Sequence, residues 1–396
     1  MRELTAAMRI AHVIEWLTTL GGGPPSVLAS LARIQAAAGY EVTVVAAMKS
    51  PPPHVLAPGE NELIAVRPGV ARHHVRWYNR AVAHEIREQI RGHDIVHIHA
   101  TWRYHFWAAA SAAKSYGIPY VVSPHGNLDH FCLARRMYVK WPYFMLFDRR
   151  MMNHAAAIHC CSQMEMRDIS QLPIASRKFV VPNPVEDELF QQPPNDDALQ
   201  RQLPQLRQDQ KIISFLGRFN TIKRLDVLVA AFQKVANKHP QWVLVLAGPH
   251  EDIALVNRLT HEVQSAGLGH RVFMPGMIHG QAKAALLRRS EIYVQASIHE
   301  NFCVSVAEAM RFGVPCIVSR EVALADEVAS AGAGVVCRGT APEFAASLDQ
   351  LMSDAALRSR CGQCGLQVAE QFRPQEVVRR LTAEYEKCLL KTNGTG

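Results

Sequence analysis

The chain has 396 residues, too many for one ordinary hydrophobic core, so two domains are expected. Hydrophobic residues make up 48% and charged residues 20%, a soluble globular composition, and no apolar run reaches the roughly 18 residues of a membrane-spanning helix. The net charge of +8 sits wholly in the first half, where 20 Lys and Arg face 12 Asp and Glu in residues 1–183, against 23 and 23 in residues 184–396; phosphates, nucleic acid or a membrane surface are the partners such a half suits.

Residues 1–14 lack the charged start, apolar run and cleavage site of a signal peptide. Nine scattered cysteines form no disulfide framework, so the cytoplasm is the expected compartment. Cys361 and Cys364 make one CxxC, but no second Cys or His pair stands at zinc spacing, and a structural role is expected for them.

"RIAHVIEWL" (9–17) reads as a buried strand, "GGGPPS" (21–26) as a glycine-rich turn, "SVLASLARIQAAAGY" (26–40) as a helix and "EVTVVAA" (41–47) as the next strand. The alternation continues through "AVAHEIREQIRGH", "DIVHIHA", "WAAASAAKSYGI" and "PYVVSPHG". Repeated βα units predict a parallel sheet covered by helices on both faces. Residues 180–210, rich in Pro, Gln and Asp, read as an interdomain linker that leads into a polar helix. The rhythm then restarts with "KIISFLGRF", "DVLVAAFQKVANK", "WVLVLAGPH", "RVFMPGM", "EIYVQAS" and "PCIVS". The tail 373–390 is an amphipathic helix, expected to pack back on the first domain. The predicted fold is α/β: two Rossmann-like, doubly wound domains facing a central cleft. Their bounds are 1–183 with the helix 373–391, a linker 184–210, and 211–372. Ligands in such sheets sit beyond the carboxyl ends of the strands.

Two stretches carry chemistry. In "LGRFNTIKRLD" (216–226), Arg218 follows a strand end and Lys223 precedes a helix. Both side chains suit phosphate oxygens, and both lie where a ligand is expected. In "HENFCVSVAEAM" (299–310), Glu300 falls in a loop and Glu308 in the following helix. A helix starting near Phe302–Ser305 would aim free N–H groups at a ligand. Eight helical residues span about 12 Å, too far for one proton relay or one metal. Two opposite ends of an extended ligand fit that spacing better. His125, in a Pro/Gly turn after the strand "PYVVS", is read as functional, whereas His97 and His99 in "VHIHA" are read as strand packing or strand-edge polar groups.

Taken in order, "GRFNTIKRLDVLVAAF", "VLAGP", "VFMPGM", "EIYVQASIHENFCVSVAEAMRFGVPCIVS" and "AGAGVV" resemble the retaining GT-B glycosyltransferases of the large family four. "GGGPPSVLASLARIQAAAGYEVTVV", "DIVHIH" and "VVSPHGNLD" extend the resemblance over nearly the full chain. The resemblance implies residue roles. Arg218 and Lys223 would hold the donor diphosphate. Glu300 would take sugar hydroxyls, with backbone groups of Asn301, Phe302, Cys303 and Val304 nearby. Glu308 would take the ribose hydroxyls, and Met277 would flank the base. Gly22 and Gly23 would let backbone approach the diphosphate or the acceptor, and His125 would face the reacting sugar. Three positions depart from the family: Cys303 and Pro184 stand where it usually has Gly, and Ala296 where it often has Pro. No Asp-x-Asp occurs, so no cofactor and a metal-independent reaction are expected.

The aromatic and basic run "HFCLARRMYVKWPYFMLFDRRMM" (130–152) suits an interfacial segment on anionic lipid, with Arg135, Arg136 and Lys140 as the contacts. Nucleic acid is not an expected partner, since no recognised binding signature is present. The expected activity is transfer of a sugar from a nucleoside diphosphate sugar to a glycan acceptor, lipid-linked, in surface-polysaccharide synthesis. The expected place is the cytoplasm or the inner face of the plasma membrane. A nucleotide-sugar epimerase of the same fold, a transferase to a soluble sugar and a non-catalytic binding module are the alternatives.

Overall fold

The computed structural model describes residues 7–15, 23–48, 64–71, 79–134, 136–185, 190 and 195–393. The chain divides into two units, residues 1–184 with 374–396, and residues 185–373.

The first unit is built on seven strands: β1 (Arg9–Ile14), β2 (Glu41–Met48), β3 (Ile64–Ala71), β4 (Ile95–His99), β5 (Tyr120–Ser123), β6 (Ala157–Cys160) and β7 (Lys178–Val180). Their order is β3-β2-β1-β4-β5-β6-β7, and every pairing is parallel. Strand alternation sorts the side chains onto two faces. Ala11, Val13, Val96, Ile98, Val122 and Ile158 form one core with Ile86 and Ile90 of helix α2 (Arg80–Ile90) and Phe106 and Ala109 of helix α3 (Tyr104–Ser115). Ile10, Ile95, Val121 and Ala157 form the other. Leu31 of helix α1 (Pro24–Ala37) and Val377, Val378, Leu381 and Tyr385 of the C-terminal helix (Pro374–Asn393) cover them. Two residues further along the same strands, this second face turns polar: His12, His97, His99, Ser123 and His159 are all buried.

The second unit has six parallel strands in the order β10-β9-β8-β11-β12-β13. They are β8 (Lys211–Leu216), β9 (Trp242–Ala247), β10 (Val272–Gly276), β11 (Ser290–Gln295), β12 (Cys316–Ser319) and β13 (Gly334–Cys337). Phe215, Phe232, Trp242, Leu244, Ile292 and Phe344 fill its core. The strand ends are packed backbone to backbone. A Cβ at Gly248 would stand 1.8 Å from the Gly217 carbonyl oxygen, so no side chain fits where β8 and β9 finish.

The linker reading of 184–210 needs correction. Residues 186–189 and 191–194 lie outside the described residues, but 195–210 belong to the second unit. Asn195 caps a helix, Asp196–Gln202, which packs on the helix Gly280–Arg289. Leu199, Leu203 and Leu206 are buried there, and Asp196 pairs with Arg288 at 2.7 Å. Leu199 lies in the helix, and Leu203 and Leu206 follow it in the turn beyond, so the polar helix and its exit are anchored on the second unit. Cys361 and Cys364 lie on the helix Ala355–Ala369, and all nine cysteines are free thiols.

Candidate active site

In the second unit, the residues singled out from sequence gather at the carboxyl ends of β8 and β11. Gly217 follows β8, and Arg218 projects with about half of its side chain exposed. Its Nη1 meets Glu251 Oε1 at 3.2 Å, and Asn220 Nδ2 donates to the other oxygen of that carboxylate at 3.4 Å. A pair this exposed contributes about 0–1 kcal/mol, so it opens readily for another anion. Lys223 ends a short 3₁₀ turn, Thr221–Lys223, and is held quite differently. Its ammonium forms an ion pair with Glu300 Oε1, and both side chains are about 15% exposed. The same carboxylate oxygen accepts hydrogen bonds from Ser297 Oγ at 2.7 Å and Gln295 Nε2 at 3.2 Å.

The backbone fixes this loop on two sides. Ile298 N–H donates to the Ile222 carbonyl at 2.9 Å, which ties the Glu300 loop to the Lys223 turn. Glu300 N–H donates to the Glu321 carbonyl, and Ala323 N–H to the Glu300 carbonyl, both at 3.0 Å. Below the loop, the buried Tyr293 hydroxyl lies 2.9 Å from Gln295 Oε1 and 2.8 Å from Ser305 Oγ. Tyr293, Gln295, Ser297 and Glu251 support the site but were not legible as site residues.

The helix Val304–Arg311 starts at Cys303, whose φ is 69°. This left-handed conformation disfavours any residue with a Cβ, which gives the family's preferred Gly at this position a physical reason. Burial first, then the Glu300 charge, push the Cys303 thiol up to about 12. The first intrahelical bond runs from Val306 N–H to the Cys303 carbonyl, so the Val304 and Ser305 amides precede the ladder. Phe302 is buried edge-on against Phe372. Asn301 occupies the loop beside it, and Met277, just past β10, is exposed.

Glu308 is 4% exposed and is not joined to Glu300. Its Oε1 meets Lys283 Nζ at 2.6 Å, from the helix Gly280–Arg289. A carboxylate buried to this degree needs a counter-charge, and Lys283 provides it. Sequence reasoning missed Lys283, whose only signal was a lysine on a neighbouring helix.

In the first unit, His125 follows β5 with a φ of 53°, again left-handed. Two hydrogen bonds hold its turn: Gly126 N–H donates to buried Glu165 Oε1 at 2.6 Å, and Trp102 Nε1 donates to the Asn127 carbonyl at 2.9 Å. His97 and His99 are buried strand residues packed in the sheet face, the first of the two readings the sequence offered. Gly23 precedes α1 with a φ of 74°, while Gly22 lies outside the described residues. Arg135 also lies outside them. Arg136 is exposed, and Lys140 donates to the Cys132 carbonyl with its ammonium 5.7 Å from the Trp102 ring centre.

Two parallel α/β units with charged strand-end loops define a protein of the GT-B type. Residues 21–189 match the family described as Glycosyltransferase Family 4, and residues 196–368 match Glycosyl transferases group 1. The chain belongs to these families and is a nucleotide-sugar glycosyltransferase. A GDP-mannose:cellobiosyl-diphosphopolyprenol alpha-mannosyltransferase of Xanthomonas campestris is 25% identical over 83% of each chain. Among solved structures, sucrose-phosphate synthase from Thermosynechococcus elongatus superposes with a TM-score of 0.74 at 19% identity, covering 97% of this chain and 100% of that one. HepE of Anabaena, in complex with UDP and glucose, gives 0.73 at 16% identity, covering 96% and 99%.

Replacing Lys283 by Met strands the Glu308 carboxylate. The unfolding free energy should fall by about 2 kcal/mol, less than the 3–5 of a fully buried pair because Lys283 is partly exposed. Adding Glu308→Met should recover most of that loss in urea titrations. An unchanged midpoint for Lys283→Met would show that the pair carries no stability.

Proposed function

We propose that this enzyme is a retaining transferase that moves a sugar from a nucleoside diphosphate sugar to a lipid-linked glycan acceptor in surface-polysaccharide synthesis. The observation that carries the donor half is the Lys223–Glu300 ion pair at the ends of β8 and β11, with Arg218 beside a weakly held partner. An arriving diphosphate offers Lys223 and Arg218 stronger acceptors than their carboxylates. Glu300, freed from Lys223, turns its oxygens to the sugar hydroxyls, and Glu308 takes the ribose. The Val304 and Ser305 amides at the helix start add donors for the phosphate. His125 takes a hydroxyl of the transferred sugar. The side chains, rather than a metal, then stabilise the leaving diphosphate. In a same-face displacement, the departing phosphate accepts the acceptor's proton as the new glycosidic bond forms.

The acceptor half rests on surface chemistry and on a relative. The mannosyltransferase named above uses a diphosphopolyprenol-linked acceptor. In the first unit, Met137, Tyr138, Val139, Trp141, Leu146 and Phe147 are exposed on the stretch Met137–Asp148, with Arg136 and Lys140 among them. Aromatic and aliphatic side chains interleaved with cations suit the boundary of an anionic bilayer. No helix among the described residues is long and apolar enough to cross a membrane.

Lys223→Ala and Arg218→Ala should each lower turnover by roughly a hundredfold through the leaving group. NMR of the product should show the donor's anomeric configuration retained. Wild-type turnover in both variants would refute the phosphate assignment, and an inverted product would refute retention. Incubation with donor alone that yields a new nucleotide sugar would identify an epimerase instead.

Vesicles of phosphatidylglycerol should co-sediment the protein at low salt, with binding weakened by salt and by Tyr138→Ser with Trp141→Ser. Recovery of all protein in the supernatant would remove the membrane from the account.

A further inference from the structure

The polar face of the first unit's sheet carries two hydrogen-bonded runs, and the direction of each can be read from an oxygen that can only accept. The Val181 carbonyl can only accept, so His159 Nε2, at 2.8 Å, carries a proton. Neutral His159 then accepts at Nδ1 from the Ser123 hydroxyl, at 2.7 Å. With its hydrogen committed, Ser123 Oγ accepts from His97 Nε2–H at 2.6 Å. His97 Nδ1 therefore accepts from the Tyr385 hydroxyl at 2.6 Å.

A second run starts at Gln35 on α1. Its Oε1 can only accept, so His12 Nε2, at 2.7 Å, must donate. His12 Nδ1 accepts from His99 Nε2–H at 2.9 Å, and His99 Nδ1 accepts from His125 Nε2–H at 2.9 Å. Every proton in the two runs is thereby assigned.

Burial keeps these rings neutral. It depresses His12 and His159 to about 4 and His125 to about 3, and it holds His97 and His99 well below their ordinary value. His12, His97 and His99 also stand close enough together to suggest a cation site. Both ring nitrogens of each are already engaged in the hydrogen bonds just described, which favours the network.

We propose that this second run fixes His125 as a hydrogen-bond acceptor, with Nε2–H committed to His99 and the Nδ1 lone pair offered to a sugar hydroxyl, and that Gln35 of α1 is a positioning residue for it. The sugar contact rests on the role given to His125 above, while the assignment of its protons does not. His125 stands at the end of this run and is partly exposed, whereas His99 and His12 are buried. A buried run with one unambiguous terminus, here Gln35 Oε1, transmits that polarity along its length because each neutral imidazole has one donor and one acceptor.

The test is two-bond proton–nitrogen NMR on the ligand-free full chain labelled with ¹⁵N-histidine, with His125 assigned through His125→Gln. Between about pH 5 and 8, His125 should show a bare Nδ1 and a protonated Nε2. Gln35→Leu removes the acceptor that pins His12, and it should mix the two His125 tautomers and lower turnover by about tenfold with donor KM unchanged. Tyr385→Phe removes a hydroxyl from the other run and should leave the His125 tautomer as in the wild type. A protonated Nδ1 in the wild type, or His125 signals unmoved in Gln35→Leu, would overturn the proton assignment. Should the tautomer be as stated while saturating GDP-mannose and UDP-glucose both leave Nδ1 unshifted, the contact with sugar is overturned and the run alone stands.

Discussion

Parallel pairing is the constraint on which the rest depends. A parallel strand cannot return by a hairpin, so each crossover needs a helix, and both sheet faces become buried. Every strand then ends at the same edge, where loops need only satisfy local hydrogen bonds. Five residues other than glycine have positive φ in the loops after strands there: Ala100 and Trp102 after β4, His125 after β5, Arg224 after β8 and Cys303 after β11. Strain of this kind persists where the surroundings over-determine the backbone, here through Glu165 on the His125 turn and Tyr293 with Ser305 beneath the Cys303 turn.

Burial also explains how charge is arranged. Glu308 and Glu300 are both removed from water and both carry a lysine, one from a neighbouring helix and one from a neighbouring loop. The two pairs differ in their surroundings. Glu300 holds further donors in Ser297 and Gln295, so its carboxylate keeps partners even when Lys223 turns to a phosphate. On the polar face of its sheet, the first unit meets the same problem of buried polarity without charge. Its histidines stay neutral and satisfy one another in a row across four adjacent strands.

Much of this was legible in the sequence, because period and punctuation are local. The βα rhythm, the turn at Gly217, the helix start near Cys303 and the packed histidines of "VHIH" follow from spacing within a few residues. What stayed hidden depends on partners far away in the chain. His97 meets Tyr385 across 288 positions, and Lys283 meets Glu308 across 25. Cys303 was legible as a departure but not as a strained one, since its φ appears only once the loop is built. The linker misreading at 195–210 had a local signal: three leucines, at 199, 203 and 206, stand in a stretch otherwise rich in Pro, Gln and Asp, and all three are buried.

The central claim is that a nucleoside diphosphate takes Lys223 from Glu300. Calorimetric titration of GDP and UDP into the wild type and into Lys223→Met measures this directly. The account predicts that one of the two diphosphates binds a single site, that its monophosphate binds more weakly, and that Lys223→Met loses most of the affinity. Absence of binding by both diphosphates, or equal affinity in Lys223→Met, would contradict it.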